Sequence, residues 1–189
     1  MSVNGINNKK RLKEVLTIEK NIYLTKESLL EKVLTQDVSV YIYRYVKLLR
    51  KTEYHHNVPG TWHKVLYVLY RRRKNRLGMK LGIEIWDNTF DEGLTIYHAG
   101  NIVINGMSKI GKNCKLHGSN CIGNNGKNLS SPVIGDNVRL GVGAKVIGDI
   151  HIADNVTIAA GAVVVDSCDI KGATLAGIPA RVVKKPIDD

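Results

Sequence analysis

The sequence predicts a mainly β protein in which short parallel strands wind into a triangular coil, behind an α-helical N-terminal region. Three observations carry this. An aliphatic residue returns at every sixth position from Ile104 to Ile170: Ile104, Ile110, Leu116, Ile122, Ile134, Leu140, Val146, Ile152, Ile158, Val164 and Ile170, with Asn128 the one break. The residue after the slot is commonly Gly or Ala, as at Gly111, Gly123, Gly135, Gly141, Ala153 and Ala159. Four places after the slot stands a small or β-branched residue: Ser108, Cys114, Val138, Ala144, Val156, Ala162, Thr174. A sustained period of six fits neither the 3.6 of a helix nor the alternation of an ordinary strand, and a fixed short period marks a repeat architecture.

Three sixes make one coil of about eighteen residues, stacked on the next at the parallel-strand spacing of about 4.8 Å. The aliphatic slots fill the narrow interior. Asn113, Asn137 and Asn155 suit the corners, where Asn and Gly tolerate positive φ. The repeat body is expected from near Ile83 to near Ala176, about five coils at roughly eighteen residues each. This pattern resembles the left-handed parallel β-helix built from hexapeptide repeats. Such solenoids bury their faces by stacking and need a cap at each end.

The N-terminal elements follow in order. From about Lys9 to Asn21 a helical pattern carries Leu12, Val15 and Leu16 inward, with Glu19 and Lys20 outward. Thr25 is placed to cap a second helix carrying Leu29, Leu30, Val33 and Leu34. A third runs from about Val38 to Tyr54 with Ile42, Tyr45, Val46 and Leu49 on one side. Asn57-Val58-Pro59-Gly60 breaks it, and a fourth spans about Thr61 to Leu77 with Trp62, Val65, Leu66, Leu69 and Tyr70. Gly78 and Gly82 mark the change to β structure. The expected division is residues 1–80 helical, 81–176 the β-helix and 177–189 a C-terminal tail.

The net charge of +11 belongs wholly to the first part. Residues 1–80 hold 18 Lys/Arg and 6 Asp/Glu, a net of +12, and residues 81–189 hold 10 and 11, a net of −1. A solvated helical face is the plain reading; the run Arg71-Arg72-Arg73-Lys74-Asn75-Arg76 sits where a helix C-terminus is expected and suits its macrodipole, with phosphate or polysaccharide binding as the alternative. No nucleic-acid role is read. No stretch approaches the roughly twenty apolar residues of a membrane span, and Met1 to Lys13 lacks the apolar core of a signal peptide. Cys114 and Cys168 fall on small inward positions, and with Cys121 they make neither a disulfide pattern nor a metal spacing, which fits a reducing cytoplasm.

The segment Ile83–Ile104, reading IEIWDNTFDEGLTIYHAGNIVI, resembles the catalytic-histidine segment of serine acetyltransferases and of related capsular or lipopolysaccharide O-acetyltransferases. The likeness continues through Ser108–Asn113 and Leu116–Gly123 and closes on Leu175-Ala176-Gly177-Ile178-Pro179-Ala180-Arg181, which resembles the exit motif of hexapeptide acyltransferases. It covers roughly residues 80–185. The resemblance implies acetyl transfer from acetyl-CoA to a hydroxyl in a homotrimer whose active site lies between prisms. His98 matches the family's general base, which deprotonates the acceptor for direct attack on the thioester. His117, one coil and one residue further, is implied as a second active-site histidine. Gly123, Val142, Gly143 and Ala160 match positions of the CoA groove, Arg181, Lys184 and Lys185 are placed for its phosphates, and Tyr97 and Asn120 are assigned to the acceptor. No metal ligand is implied.

Two departures steer the acceptor. Serine acetyltransferases have Asp before the catalytic His where this chain has Tyr97, and an Arg-His pair before a Pro where it has Ser130-Ser131-Pro132. The expectation is therefore a sugar hydroxyl of a surface polysaccharide (capsule or lipopolysaccharide) or its precursor, with serine O-acetyltransferase of cysteine biosynthesis as the alternative. A zinc carbonic anhydrase on the same fold needs three His ligands, and the spacing of His98, His117 and His151 does not match. A non-catalytic basic binding module is the remaining class, and the intact His98 segment argues against it. Counting back in sixes from Ile104 puts His98 in an inward slot, where an unpaired imidazole is costly; Ile96 and Ile102 offer a shifted phase.

Overall fold

The computed structural model describes residues 5–24 and 29–185. Four helices lead: α1 (Lys9–Tyr23), α2 (Leu29–Leu34), α3 (Val38–Asn57) and α4 (Thr61–Leu81). Asn8 caps α1 by accepting from the Arg11 N–H, and Asp37 caps α3 by accepting from the Ser39 N–H. The proposed cap Thr25 lies outside the described residues. The predicted inner face of α3 is buried throughout: Ile42, Tyr45, Val46 and Leu49.

Two helical expectations are corrected. Trp62, Val65 and Leu69 of α4 are exposed, because α4 turns Leu66, Tyr70, Lys74 and Leu77 toward its neighbours instead. The helix also runs past Gly78 to Leu81 and ends on Gly82 at φ 66. Gly78 is demanded by packing: a Cβ there would stand 2.4 Å from the Ile83 carbonyl oxygen. The basic run consequently lies inside α4 and not at its end. Lys74 is buried, its Nζ donating to the Ile85 carbonyl and to Asp87.

The rest of the chain coils into three parallel sheets. The first side stacks Ile83–Ile85, Ile102–Ile104, Cys121–Gly123, Lys145–Ile147 and Val163–Val164. The second stacks Lys109–Ile110, Val133–Ile134 and His151–Ile152, extended by bridges to Phe90 and Cys168. The third stacks Thr95–Ile96, Lys115–Leu116, Arg139–Leu140, Thr157–Ile158 and Thr174–Gly177, on which Ala180–Lys184 folds back antiparallel. The predicted slots from Ile104 to Val164 are buried. Asn113, Asn137 and Asn155 take φ of 56, 58 and 60 at one corner, and Asn113 donates to Asn137 across coils. Gly141 shows why the residue after a slot is small: a Cβ there would stand 2.6 Å from the Ala160 nitrogen of the next coil.

The six-residue count fails at three places, each with a geometric cause. Ile110 pairs with Ile134, Leu116 with Leu140 and Ile122 with Val146, each 24 apart and not 18. The missing slot at Asn128 is thus a whole repeat extruded as an exposed loop, and the phase is unbroken. At the C-terminal end Ile152 bridges Cys168 and Ile158 pairs Leu175, 16 and 17 residues on. The last coil is short, so Cys168 and Ala173 turn inward while Ile170 and Thr174 do not. In the first coil Ile96 to Ile104 takes eight residues where Leu116 to Ile122 takes six, so the corner carrying His98 is longer.

An open first coil would present unpaired strand edges, and helical side chains satisfy it on all three sides. The Tyr45 hydroxyl accepts from the Ile85 N–H while Lys74 donates to the Ile85 carbonyl. Arg50 donates to the Phe90 and Asp91 carbonyls, and Glu53 accepts from the Asn88 N–H. The Tyr23 hydroxyl donates to the Leu94 carbonyl and accepts from the Ile96 N–H. Arg50 in turn pairs with Glu19 and Glu53, all three buried. Glu19, expected outward, is turned in by this pairing.

Candidate functional site

The corner that follows the third side gathers most of the expected site. Its register is set by Thr95 pairing Lys115 and Ile96 pairing Leu116, an offset of twenty, so the rung that follows places Tyr97 beside His117. Their rings stack with centroids 4.4 Å apart. His98 comes one residue later and is exposed. The eight-residue corner lets Ile96 take the inward slot, which removes the clash of an imidazole with the aliphatic prism. Beyond it the chain returns at Gly118, where a Cβ would stand 3.3 Å from the His98 Cβ; Gly118 has φ 110 and Gly100 φ 111. Only residues without a side chain let the backbone turn there so close to the histidine.

His117 is half-buried, and its Nε2 has no hydrogen-bond partner among the described residues. Burial, then the charges of Arg139, His98 and Lys115, hold its pKa below the ordinary imidazole value. His117 is therefore held toward its neutral form.

The groove positions divide. Val142, Gly143 and Ala160 lie on the His98 corner, linked coil to coil by Gly143 N–H donating to the Gly118 carbonyl and Gly161 N–H to the Val142 carbonyl. Val142 and Ala160 are exposed, and a Cβ at Gly161 would meet nothing within 4 Å. This open, small-residue edge fits a thin extended group such as a pantetheine arm. Gly123 does not join it. It is buried at the far end of the first side, where its carbonyl accepts from the Gly148 N–H, so it is corrected to a coil-building residue. Arg181 is already engaged with Asp166 at 2.7 Å, while Lys184 and Lys185 are exposed. Asn120 is also corrected. It is fully buried, its Oδ1 accepting from the Gly118 N–H and its Nδ2 donating to the Gly141 and Ala144 carbonyls. It holds the turn and reaches no acceptor.

His151 lies on the second side, hydrogen-bonded to Asp169 at 2.9 Å. Among the described residues no group of three His, Cys, Asp or Glu is placed to hold a metal ion. Also among them, no helix is long and apolar enough to cross a membrane. Lys115 and Arg139 escaped the sequence reading. Subtracting the six looped-out residues from their spacing of 24 would have placed them on adjacent rungs beside His117.

Residues 131–166 match the family described as bacterial transferase hexapeptide (six repeats). The serine acetyltransferase of Staphylococcus xylosus is 34% identical over 140 residues, 68% of this chain and 64% of that protein. That of Synechococcus elongatus is 33% identical over 132 residues, 64% and 54%. The chain thus carries a hexapeptide-repeat match over residues 131–166 and is similar to serine acetyltransferases. It spans less than two thirds of the length of these curated relatives. Among solved structures, Neisseria gonorrhoeae serine acetyltransferase superposes with a TM-score of 0.72 at 25% identity, covering 96% of this chain and 70% of that one. A Brucella abortus serine acetyltransferase in complex with coenzyme A does so with 0.72 at 22% identity, covering 94% and 69%, a likeness of fold. These findings overturn the expected polysaccharide acceptor: the relatives that match are serine acetyltransferases, despite Tyr97 and Ser131.

Proposed function

We propose that the chain transfers the acetyl group of acetyl-CoA to the hydroxyl of L-serine, with His98 as general base. The observation that carries this reading is the exposed His98 at a corner from which Val142, Gly143 and Ala160 run on as an open edge. The likeness to serine acetyltransferases supports the donor and the acceptor. The coil is read as left-handed and the assembly as a homotrimer, as the hexapeptide resemblance implies, with a second copy closing the other wall of the groove.

A serine hydroxyl is a weak nucleophile until its proton is removed. As its oxygen attacks the thioester carbonyl carbon, His98 takes the proton. The tetrahedral intermediate collapses with cleavage of the C–S bond, and the sulfur leaves as thiolate and takes the proton back from the imidazolium. No acyl-enzyme is required. Positioned proton transfer of this kind contributes about 10²–10⁴-fold. His117, held toward its neutral form and clamped under Tyr97, packs beside the base as a positioning residue. Arg181, Lys184 and Lys185 remain assigned to the CoA phosphates, Arg181 exchanging Asp166 for them.

The test is CoA-thiol release from acetyl-CoA with and without L-serine. Serine-dependent release that falls about 10²-fold or more in His98→Ala, with KM for acetyl-CoA little changed, is expected. Release without serine dependence, or an active His98→Ala, overturns the reading.

A further inference from the structure

Outward from the third side, the register stacks Thr95, Lys115, Arg139, Thr157 and Thr174 in one column. Adjacent rungs lie about 4.8 Å apart, so Lys115 and Arg139 set two positive charges side by side. Like charges directly opposite across strands are destabilising. The column contains no carboxylate to relieve them. Among the described residues neither cation has an ion pair or a side-chain hydrogen bond, whereas Lys112, Lys171 and Arg181 of the same coil pair with Glu92, Asp154 and Asp166.

This unrelieved pair stands against the site. His117 follows Lys115 by two residues and shares its rung line with Gly141, two beyond Arg139. Tyr97 covers His117 from one side. On the other side the next rung carries Gly141, which brings no side chain over His117, and Arg139 stands two residues before it. The acceptor-binding residues that the resemblance would supply, an Asp at Tyr97 and an Arg at Ser130, are missing from this chain.

We propose that Arg139, with Lys115 beside it, forms an anion subsite that holds the carboxylate of the acceptor next to His117. A guanidinium presents two parallel N–H groups to a carboxylate and fixes its orientation as well as its charge. An amino acid gripped there turns its short side-chain hydroxyl toward the same corner, where His98 stands. Arg139 is thus a specificity residue for small hydroxy acids, and the bound carboxylate relieves the repulsion between the two cations. The inference rests on the serine reading for the identity of the acceptor, not for the existence of the subsite.

Two measurements test it. In steady-state assays, Arg139→Gln raises KM for L-serine about tenfold or more, leaves KM for acetyl-CoA within about twofold, and lowers the preference for L-serine over L-serinamide by the same factor as the serine loss. Unchanged KM for serine overturns the proposal, as does a rise confined to KM for acetyl-CoA, which would give these cations to the CoA phosphates. Should the wild type use no L-serine, the acceptor reading fails and the subsite is decided separately by NMR titration of the His117 ring. Acetate at constant ionic strength raises the His117 pKa in the wild type by cancelling the neighbouring positive charge, and does not in Arg139→Gln. A wild type indifferent to acetate overturns the subsite.

Discussion

Arg50 is fully buried between two glutamates and two backbone carbonyls: it joins α3 to α1 through Glu19 and to the first coil through the Phe90 and Asp91 carbonyls, while its contact with Glu53 lies within α3. Burial pushes the carboxyls of Glu19 and Glu53 above their usual range, against the pull of Arg50. Truncation of Arg50 strands two carboxylates and the Phe90 and Asp91 carbonyls. Arg50→Ala is expected to cost about 3–5 kcal/mol in urea unfolding at neutral pH. The sign of its pH dependence follows. Without Arg50 the folded carboxyls sit still higher above the ordinary 4.5, so the folded state holds more protons than the unfolded one and stability falls as pH rises through that window. The deficit is therefore smaller near pH 4.5 than at pH 7, and a deficit independent of pH counts against the buried triad. None of this was legible in the sequence: Glu19 falls on the polar side of a 3.6-residue wheel, and its partner lies 31 positions away. Asn120 misleads in the same manner, since a polar residue in a motif reads as a ligand until its three backbone partners are seen.

At the scale of elements the coil was the legible part, because its inward slots are set by local stacking and each repeat carries its own signal. Corner lengths were not, since a corner can gain or lose residues in solvent without changing the composition of the slots on either side. The extruded repeat illustrates this. Its side-chain hydrogen bonds are local: Asn124 accepts from Gly126, Asn125 from Lys127 and Asn128 from Ser130, while Ser131, which donates to Asn105, lies just beyond. Excision of residues 125–130 brings Ile122 and Ile134 to the regular spacing of six and shortens the 24-residue separations to 18. Loop length enters stability only logarithmically, about 0.6 kcal/mol per doubling. The excised protein is expected to unfold cooperatively with a free energy within about 1 kcal/mol of the full chain. A loss of several kcal/mol, or a broadened transition, would mean that the loop holds the coils in register.

For the molecule as a whole, one prism supplies one wall of the proposed groove. Val103, Val142 and Val165 are exposed on the coil, and the small-residue edge beyond His98 faces outward with nothing opposite it among the described residues. A second copy would close the edge and cover these valines. A closed cyclic arrangement then gives every copy the same environment. The expected mass by light scattering is near three times 20.9 kDa, or 62.7 kDa, and a species of 20.9 kDa at assay concentrations would remove the wall on which the site depends. Activity supplies the second readout: if the groove is shared, specific activity falls on dilution in step with the loss of the heavier species, whereas a self-sufficient chain keeps it. The charge distribution gives the direction of the salt effect. Parallel prisms set three helical regions of net +12 at the same end, while residues 81–189, at −1 in each copy, repel little. Lowering the ionic strength lengthens the screening distance from about 8 Å toward about 30 Å. The trimer is then expected to loosen at low salt and tighten at moderate salt, and the opposite trend would place the helical regions apart.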